Sequence, residues 1–123
     1  MTTRPITQEN FNETVASNDI VLIDFWAAWC GPCRSFAPTY EKVAGEFPDV
    51  VFAKVDTEVE QGLAASFSIM SIPTLMIIRE NVVVFSQAGA LPEGALRELV
   101  QKVRDLDMQE VHRQILEQES AEA

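Results

Sequence analysis

Asp24-Phe25-Trp26-Ala27-Ala28-Trp29-Cys30-Gly31-Pro32-Cys33 carries both cysteines of the 123-residue chain, three positions apart and just after a carboxylate that interrupts an apolar run. Upstream, Ile20 to Trp26 reads as a strand that is apolar on both faces, the pattern of a strand covered above and below, and only Asp24 breaks it. Downstream, Phe36, Ala37, Tyr40, Val43, Ala44 and Phe47 recur at helical spacing, with Glu41, Lys42 and Glu46 on the other side. Pro38 lies inside that predicted helix, removes one backbone donor and is expected to kink it. A strand feeding a helix across so short a connection places Cys30 at or just before the helix N-terminus, where unpaired N–H groups and the dipole favour an anion.

A thiolate is such an anion. Lowering the Cys30 pKa toward the working pH supplies nucleophile without making it a poor attacker. Cys33, one turn further in, is expected to be less exposed and close enough to attack, and Pro32 suits the first helical turn because it has no N–H to lose. The expected sequence of events is attack by Cys30 on a substrate disulfide, a mixed disulfide, and displacement of the reduced substrate by Cys33. Closing a four-residue loop stabilises by only about 2 kcal/mol, which suits a bond made and broken in each cycle better than a structural staple. Two core thiols, or half of a zinc site, are the alternatives. A closed zinc site within one chain lacks ligands, since the only histidine is His112, far along a polar helix; a metal or cluster shared between two chains stays open.

Working outward, Thr7 and Asn10 read as a helix cap, with Ile6 and Phe11 placed as a hydrophobic staple and a first helix from about Gln8 to Ser17. Val50 to Asp56 is a second internal strand, interrupted by Lys54; Glu58 to Phe67 is a short helix, and Leu75 to Ile78 a third apolar strand. Val82 to Phe85 pairs with that strand across a tight turn at Glu80-Asn81. Pro92 opens a helix whose buried stripe is Leu96, Leu99, Val100, Val103 and Leu106. The order predicts an α/β fold with a mixed, mostly parallel central sheet and helices on both faces.

Length, with 47% apolar and 23% charged residues, suits a single globular domain over residues 1–105, followed by an extension over 106–123. In the extension Asp107 and Glu110 form a capping pair, and Met108, Val111, Ile115 and Leu116 make an apolar stripe, which predicts an amphipathic helix with a disordered end from Glu119. Self-docking, pairing of two chains and binding of a partner are its possible uses. The formal charge of −10, half of it beyond residue 104, argues against nucleic acid and anionic lipid, which reward clustered Lys and Arg. The N-terminus lacks an apolar segment of signal-peptide length, and no run reaches the roughly 18 residues that span a bilayer. A soluble, intracellular, cytoplasmic protein with no membrane association is expected. In a reducing cytosol a lone cysteine pair points to catalysis or metal rather than to a staple.

Asp24 is costly to bury, and its pKa is expected to rise unless a cation or water compensates. If the strands are neighbours, Lys54 meets it beneath the cysteine helix, where a raised-pKa carboxylate relays a proton to or from Cys33 through water. The bland alternative is a buried structural pair, or a lysine that reaches out to solvent.

These residues closely resemble the thioredoxin family over about residues 6 to 104: the Trp-Cys-Gly-Pro-Cys run, Asp24 and Trp26, Pro38, Lys54-Val-Asp56, Ile72-Pro73-Thr74 and Gly89-Ala-Leu. The resemblance implies the thioredoxin fold and a protein-disulfide reductase with no bound cofactor, recharged from NADPH by a thioredoxin reductase. It implies a cis Ile72–Pro73 bond facing the cysteines, against a prior of about 5% for any X-Pro bond. It also implies a substrate surface of Trp29, Gly31, Pro32, Ile72, Pro73, Thr74, Gly89 and Ala90, with an extended substrate segment pairing to the Ile72 backbone. For Gly89, turn geometry is an equally good reason. Where many relatives have glycine this chain has Ser68 and Ser71, and Glu80-Asn81-Val82 replaces an Asn-Gly turn. A binding module built on the same scaffold, and an oxidant or isomerase, are the competing functions.

Overall fold

The computed structural model describes residues Thr2 to Glu122. Its elements follow in the order β1 (Thr3–Pro5), α1 (Phe11–Ala16), β2 (Ile20–Trp26), α2 (Gly31–Ala44), β3 (Val51–Asp56), α3 (Gln61–Ser66), β4 (Thr74–Arg79), β5 (Val82–Ala88), α4 (Glu93–Arg104) and α5 (Met108–Glu122). The five strands form one sheet in the order β1-β3-β2-β4-β5. β1 and β2 run parallel to β3, while β4 runs antiparallel to both β2 and β5, so β4 alone opposes the other four. The expected mixed, mostly parallel sheet is the observed one.

Alternation along each strand divides the core in two. Ile20, Leu22, Phe52, Leu75 and Ile77 face α2 and α4 and pack with Phe36, Tyr40, Val43, Leu96, Val100 and Val103. Val21, Ile23, Phe25, Ala53, Val55, Met76 and Ile78 face the other way, with Val15 of α1 and Leu63 of α3. β2 is thus apolar on both faces because both are covered. Tyr40 is fully buried and satisfies its hydroxyl by donating to the Ala53 carbonyl at 2.8 Å.

The chain entry differs from the sequence expectation. β1 precedes the first helix, and α1 begins at Phe11 rather than Gln8, although the Thr7–Asn10 pair forms as expected: the Thr7 N–H donates to Asn10 Oδ1 at 2.8 Å and the Asn10 N–H to Thr7 Oγ1 at 3.2 Å. β1 is held by its pairing with β3 and by the Glu41 carboxylate of α2, which accepts from the Thr3 N–H at 3.2 Å and the Thr3 hydroxyl at 2.7 Å. The Thr2 hydroxyl, which also donates to this carboxylate, and then these Thr3 bonds hold the Glu41 carboxyl below the usual carboxylate range.

At the other end, Glu80 (φ 49°) and Asn81 (φ 65°) both take left-handed backbone angles, the requirement of a two-residue hairpin turn. Asp107 opens α5, with its Oδ1 accepting the Glu110 N–H at 3.2 Å. Met108 is buried, and Val111 and Ile115 are half-buried. Val111 and Ile115 line a groove of about 300 Å³ together with Val82–Val84 of β5. His112 Nε2 lies 3.1 Å from Glu80 Oε1 at the hairpin turn. The helix continues through residues 119–122, where disorder is expected from the sequence; Ala123 lies outside the described residues. A continuous helix satisfies the N–H groups of that last turn internally. Arg79 of β4 joins the extension to the domain, its Nη1 donating to the carbonyls of Val103 (2.6 Å), Arg104 (3.1 Å) and Leu106 (3.0 Å). A cation there complements the negative end of α4.

Leu96 is fully buried between α4 and the sheet, whereas Leu116 of α5 is 64% exposed. Urea denaturation is expected to show Leu96→Ala destabilised by about 3 kcal/mol and Leu116→Ala by less than about 0.5 kcal/mol.

Candidate active site

β2 ends at Trp26, and the chain reaches α2 in four residues, so the cysteines sit at the end of the central strand. Cys30 is the N-cap of α2 (φ −87°, ψ 114°), and its Sγ receives the Cys33 N–H at 3.2 Å. Gly31 and Pro32 fill the first two helical positions, where the missing proline N–H costs nothing. The pair is oxidised, with Cα atoms 5.2 Å apart. In the reduced protein the same amide faces a thiol, and an N–H aimed at sulfur at a helix N-terminus favours the thiolate.

The two sulfurs are not distinguished by exposure as the sequence suggests. Cys30 is 4% exposed and Cys33 3%. They form a small apolar patch with Ala27, against which Trp26 and Ile72 pack, and this closes most of the surface over Cys30. What distinguishes them is position: Cys30 caps the helix and lies 3.8 Å from the Ile72 carbonyl, while Cys33 is inside the first turn.

The other expected site residues converge from separate loops. The C-terminal ends of β2 and β3, the N-terminal end of β4 and the C-terminal end of β5 lie at one end of the sheet. The Ile72–Pro73 bond is cis. Gly89 (φ +106°) donates its N–H to the Pro73 carbonyl at 2.8 Å, so its backbone conformation calls for glycine irrespective of any ligand. Trp29, Pro32 and Ala90 are exposed, and Gly31 and Ile72 are half-buried. Thr74 departs from its expected place on the surface: it is buried in the sheet, opposite Phe25 and Ala88, with its hydroxyl turned to the Ser71 carbonyl. Pro73 is buried as well, which leaves Ile72 as the accessible part of that element.

Asp24 is wholly buried on the face beneath α2, and neither carboxylate oxygen has a hydrogen-bond partner among the described residues. Burial raises its pKa from 3.8 to about 6, against the opposing pull of the Lys54 charge. Lys54 stands opposite Asp24 in the β2–β3 register, as expected, but the two form no ion pair. The ammonium instead lies over the Trp26 ring, 4.8 Å from its centroid, because the half-buried side chain can reach both an aromatic face and solvent there. Glu58 escapes sequence reasoning: its Oε1 accepts the Trp29 indole N–H at 2.7 Å and holds a ring that is 67% exposed. Only an acid after a strand marks it, and no local spacing links positions 29 and 58. Among the described residues no group of three His, Cys, Asp or Glu side chains is placed to hold a metal ion.

A Cys-Gly-Pro-Cys pair capping a helix at the end of such a sheet, beside a cis proline, defines a thiol-disulfide oxidoreductase. Comparison with known proteins agrees. The thioredoxin family model matches residues 2–102. A protein of Streptomyces coelicolor named as a thioredoxin 2 is 57% identical over 115 residues, covering 94% of this chain and 86% of that one. The thioredoxin of Bacillus subtilis is 42% identical over 87 residues, covering 70% and 84%. A mutant thioredoxin from Halobacterium salinarum superposes with a TM-score of 0.79 at 31% identity, covering 85% of this chain and 94% of that one. The chain belongs to the thioredoxin family.

The raised Asp24 pKa has a definite sign in stability. The native state holds the proton more tightly than the unfolded chain, so ionising Asp24 opposes folding: the penalty is absent below about pH 4, grows between 4 and 6, and is complete above about 6. Asp24→Asn is therefore expected to be more stable than the parent at pH 7, by an amount on the order of 3 kcal/mol. The gap should close as denaturation is repeated toward pH 4.

Proposed function

We propose that the protein reduces disulfides in other proteins, with Cys30 as nucleophile and Cys33 as resolving thiol. The observation that carries this assignment is the Cys33 amide aimed at Cys30 Sγ at 3.2 Å on the N-cap of α2, which favours the thiolate at position 30. Attack of that thiolate forms the Cys30–substrate bond and releases one substrate thiolate. Attack by Cys33 on Cys30 then releases the second and leaves Cys30–Cys33 oxidised. Each released thiolate takes up a proton. Asp24, with a pKa of about 6, is well suited to accept the Cys33 proton through water as that thiol becomes the attacker. Lys54 tunes Asp24 by charge at a distance, since its coulombic pull lowers the carboxyl pKa.

Trp29, Gly31, Pro32, Ile72, Gly89 and Ala90 surround the sulfurs as the substrate surface, and Pro73 and Thr74 support it from within. The Ile72 carbonyl, 3.8 Å from Cys30 Sγ, is a backbone acceptor that an extended substrate segment can use. Electrons are returned by a thioredoxin reductase drawing on NADPH, as the family membership suggests, and no cofactor is bound. A cytoplasmic setting suits the chemistry, because a reducing compartment keeps the dithiol charged. The acidic charge makes nucleic acid and anionic lipid poor partners. α5 is an extension beyond the thioredoxin domain that folds back on it through Met108, Val111 and Ile115. Leu116, 64% exposed, is the side chain left for a partner or a second copy.

With NADPH and a thioredoxin reductase, the protein is expected to reduce insulin, and Cys30→Ser to abolish turnover. Cys33→Ser should instead accumulate mixed disulfides through Cys30, detectable by mass spectrometry. Turnover by Cys30→Ser at the parental rate would remove the assignment.

A further inference from the structure

Among the described residues six large apolar side chains stand exposed, in two groups. Val83, Leu106 and Leu116 belong to β5, the α4–α5 junction and α5. Trp29, Val59 and Met70 follow β2, follow β3 and precede β4, so all three emerge at the end of the sheet that carries Cys30. Met70 is the most exposed of the six, at 92%, and Val59 is 71% exposed. The position of Met70 is held from both sides. Ile69 donates its N–H to the Ala64 carbonyl at 3.1 Å and packs into the core under α1 and α3, while Ile72 packs against Cys30 and Cys33. Between these anchors Met70 and Ser71 are exposed, and Met70 presents an unbranched thioether to solvent from a backbone held on either side. Such a side chain adapts to apolar surfaces of many shapes.

We infer that Met70 is a specificity-determining residue for disulfide exchange, selecting protein disulfides that carry a large apolar side chain two residues from the reacting cysteine. This rests on the reductase function proposed above. A substrate segment extended along the Ile72 backbone places alternate side chains on one side, about 7 Å apart. Met70 is two residues before Ile72, so a side chain two positions from the cysteine meets it while the disulfide meets Cys30. Water leaves both apolar surfaces, and no charge has to be matched. Partial burial of a leucine-sized side chain corresponds to about a tenfold preference over a polar one of similar length.

The test uses two peptide disulfides identical except for Leu or Gln two residues from the reacting cysteine, and reads single-turnover rates with the reduced full-length protein. The wild type is expected to favour the Leu peptide about tenfold, Met70→Gln to lower that ratio to about twofold, and Leu116→Gln to keep it at about tenfold. Met70→Ser provides a second variant and should lower the ratio as Gln does. Equal rates on the two peptides with wild-type protein, or an undiminished ratio in both Met70 variants, would overturn the inference while leaving the reductase function standing. Failure to reduce either peptide would overturn both.

Discussion

Strand β2 is hydrogen-bonded along both edges and covered on both faces, and the rest of the molecule is arranged by that confinement. Val21, Leu22, Ile23 and Phe25 have no exposed surface, and the strand pairs residue by residue with β3 on one side and β4 on the other. Interiors packed in this way shift little, so the point where β2 ends is a fixed point. Cys30 is four residues beyond Trp26, on the cap of a helix that itself lies on the sheet. The loops bearing Ile72 and Glu58 start or finish on strands bonded to β2. A reactive centre assembled from three loops is therefore as well located as the strand they share.

The same confinement governs the electrostatics. Asp24 is held where neither oxygen finds a partner, and the nearest cation in the register, Lys54, spends its charge on the Trp26 ring. The carboxyl is thereby left near a pKa of 6, a range in which it can exchange protons close to neutral pH. Had the two formed a tight ion pair, the acid would have been fixed in its ionised state. A carboxylate isolated in this way opposes folding, so its place beneath the cysteine helix is not explained by stability.

Elements governed by local pattern were legible in the sequence. Two-sided apolar runs identify β2, β3 and β4; the reciprocal Thr7–Asn10 bonds and the left-handed Asn81 arise from side-chain chemistry within a few residues. Features that depend on distant partners were not. β1 is three residues, Thr-Arg-Pro, with no apolar alternation, and exists because β3 and Glu41 are there to receive it. The near-equal burial of the two cysteines depends on Ile72, forty-two residues after Cys30. Glu58 under the Trp29 indole and Lys54 over Trp26 are likewise set by the fold, since register brings residues together but side-chain direction settles what they touch. Thr74 was placed at the surface by resemblance, and its alternation in β4 turns it inward.

Arg79 ties the last carbonyls of α4 to the segment entering α5 with one guanidinium rooted in β4. The added helix is consequently not an independent appendage but shares a fastener with an inner strand of the sheet. Grafted onto a relative that lacks an arginine at this position, the same tail would keep its own apolar contacts with β5 but lose the tie at its root, so the direction in which it leaves the domain would be set less firmly.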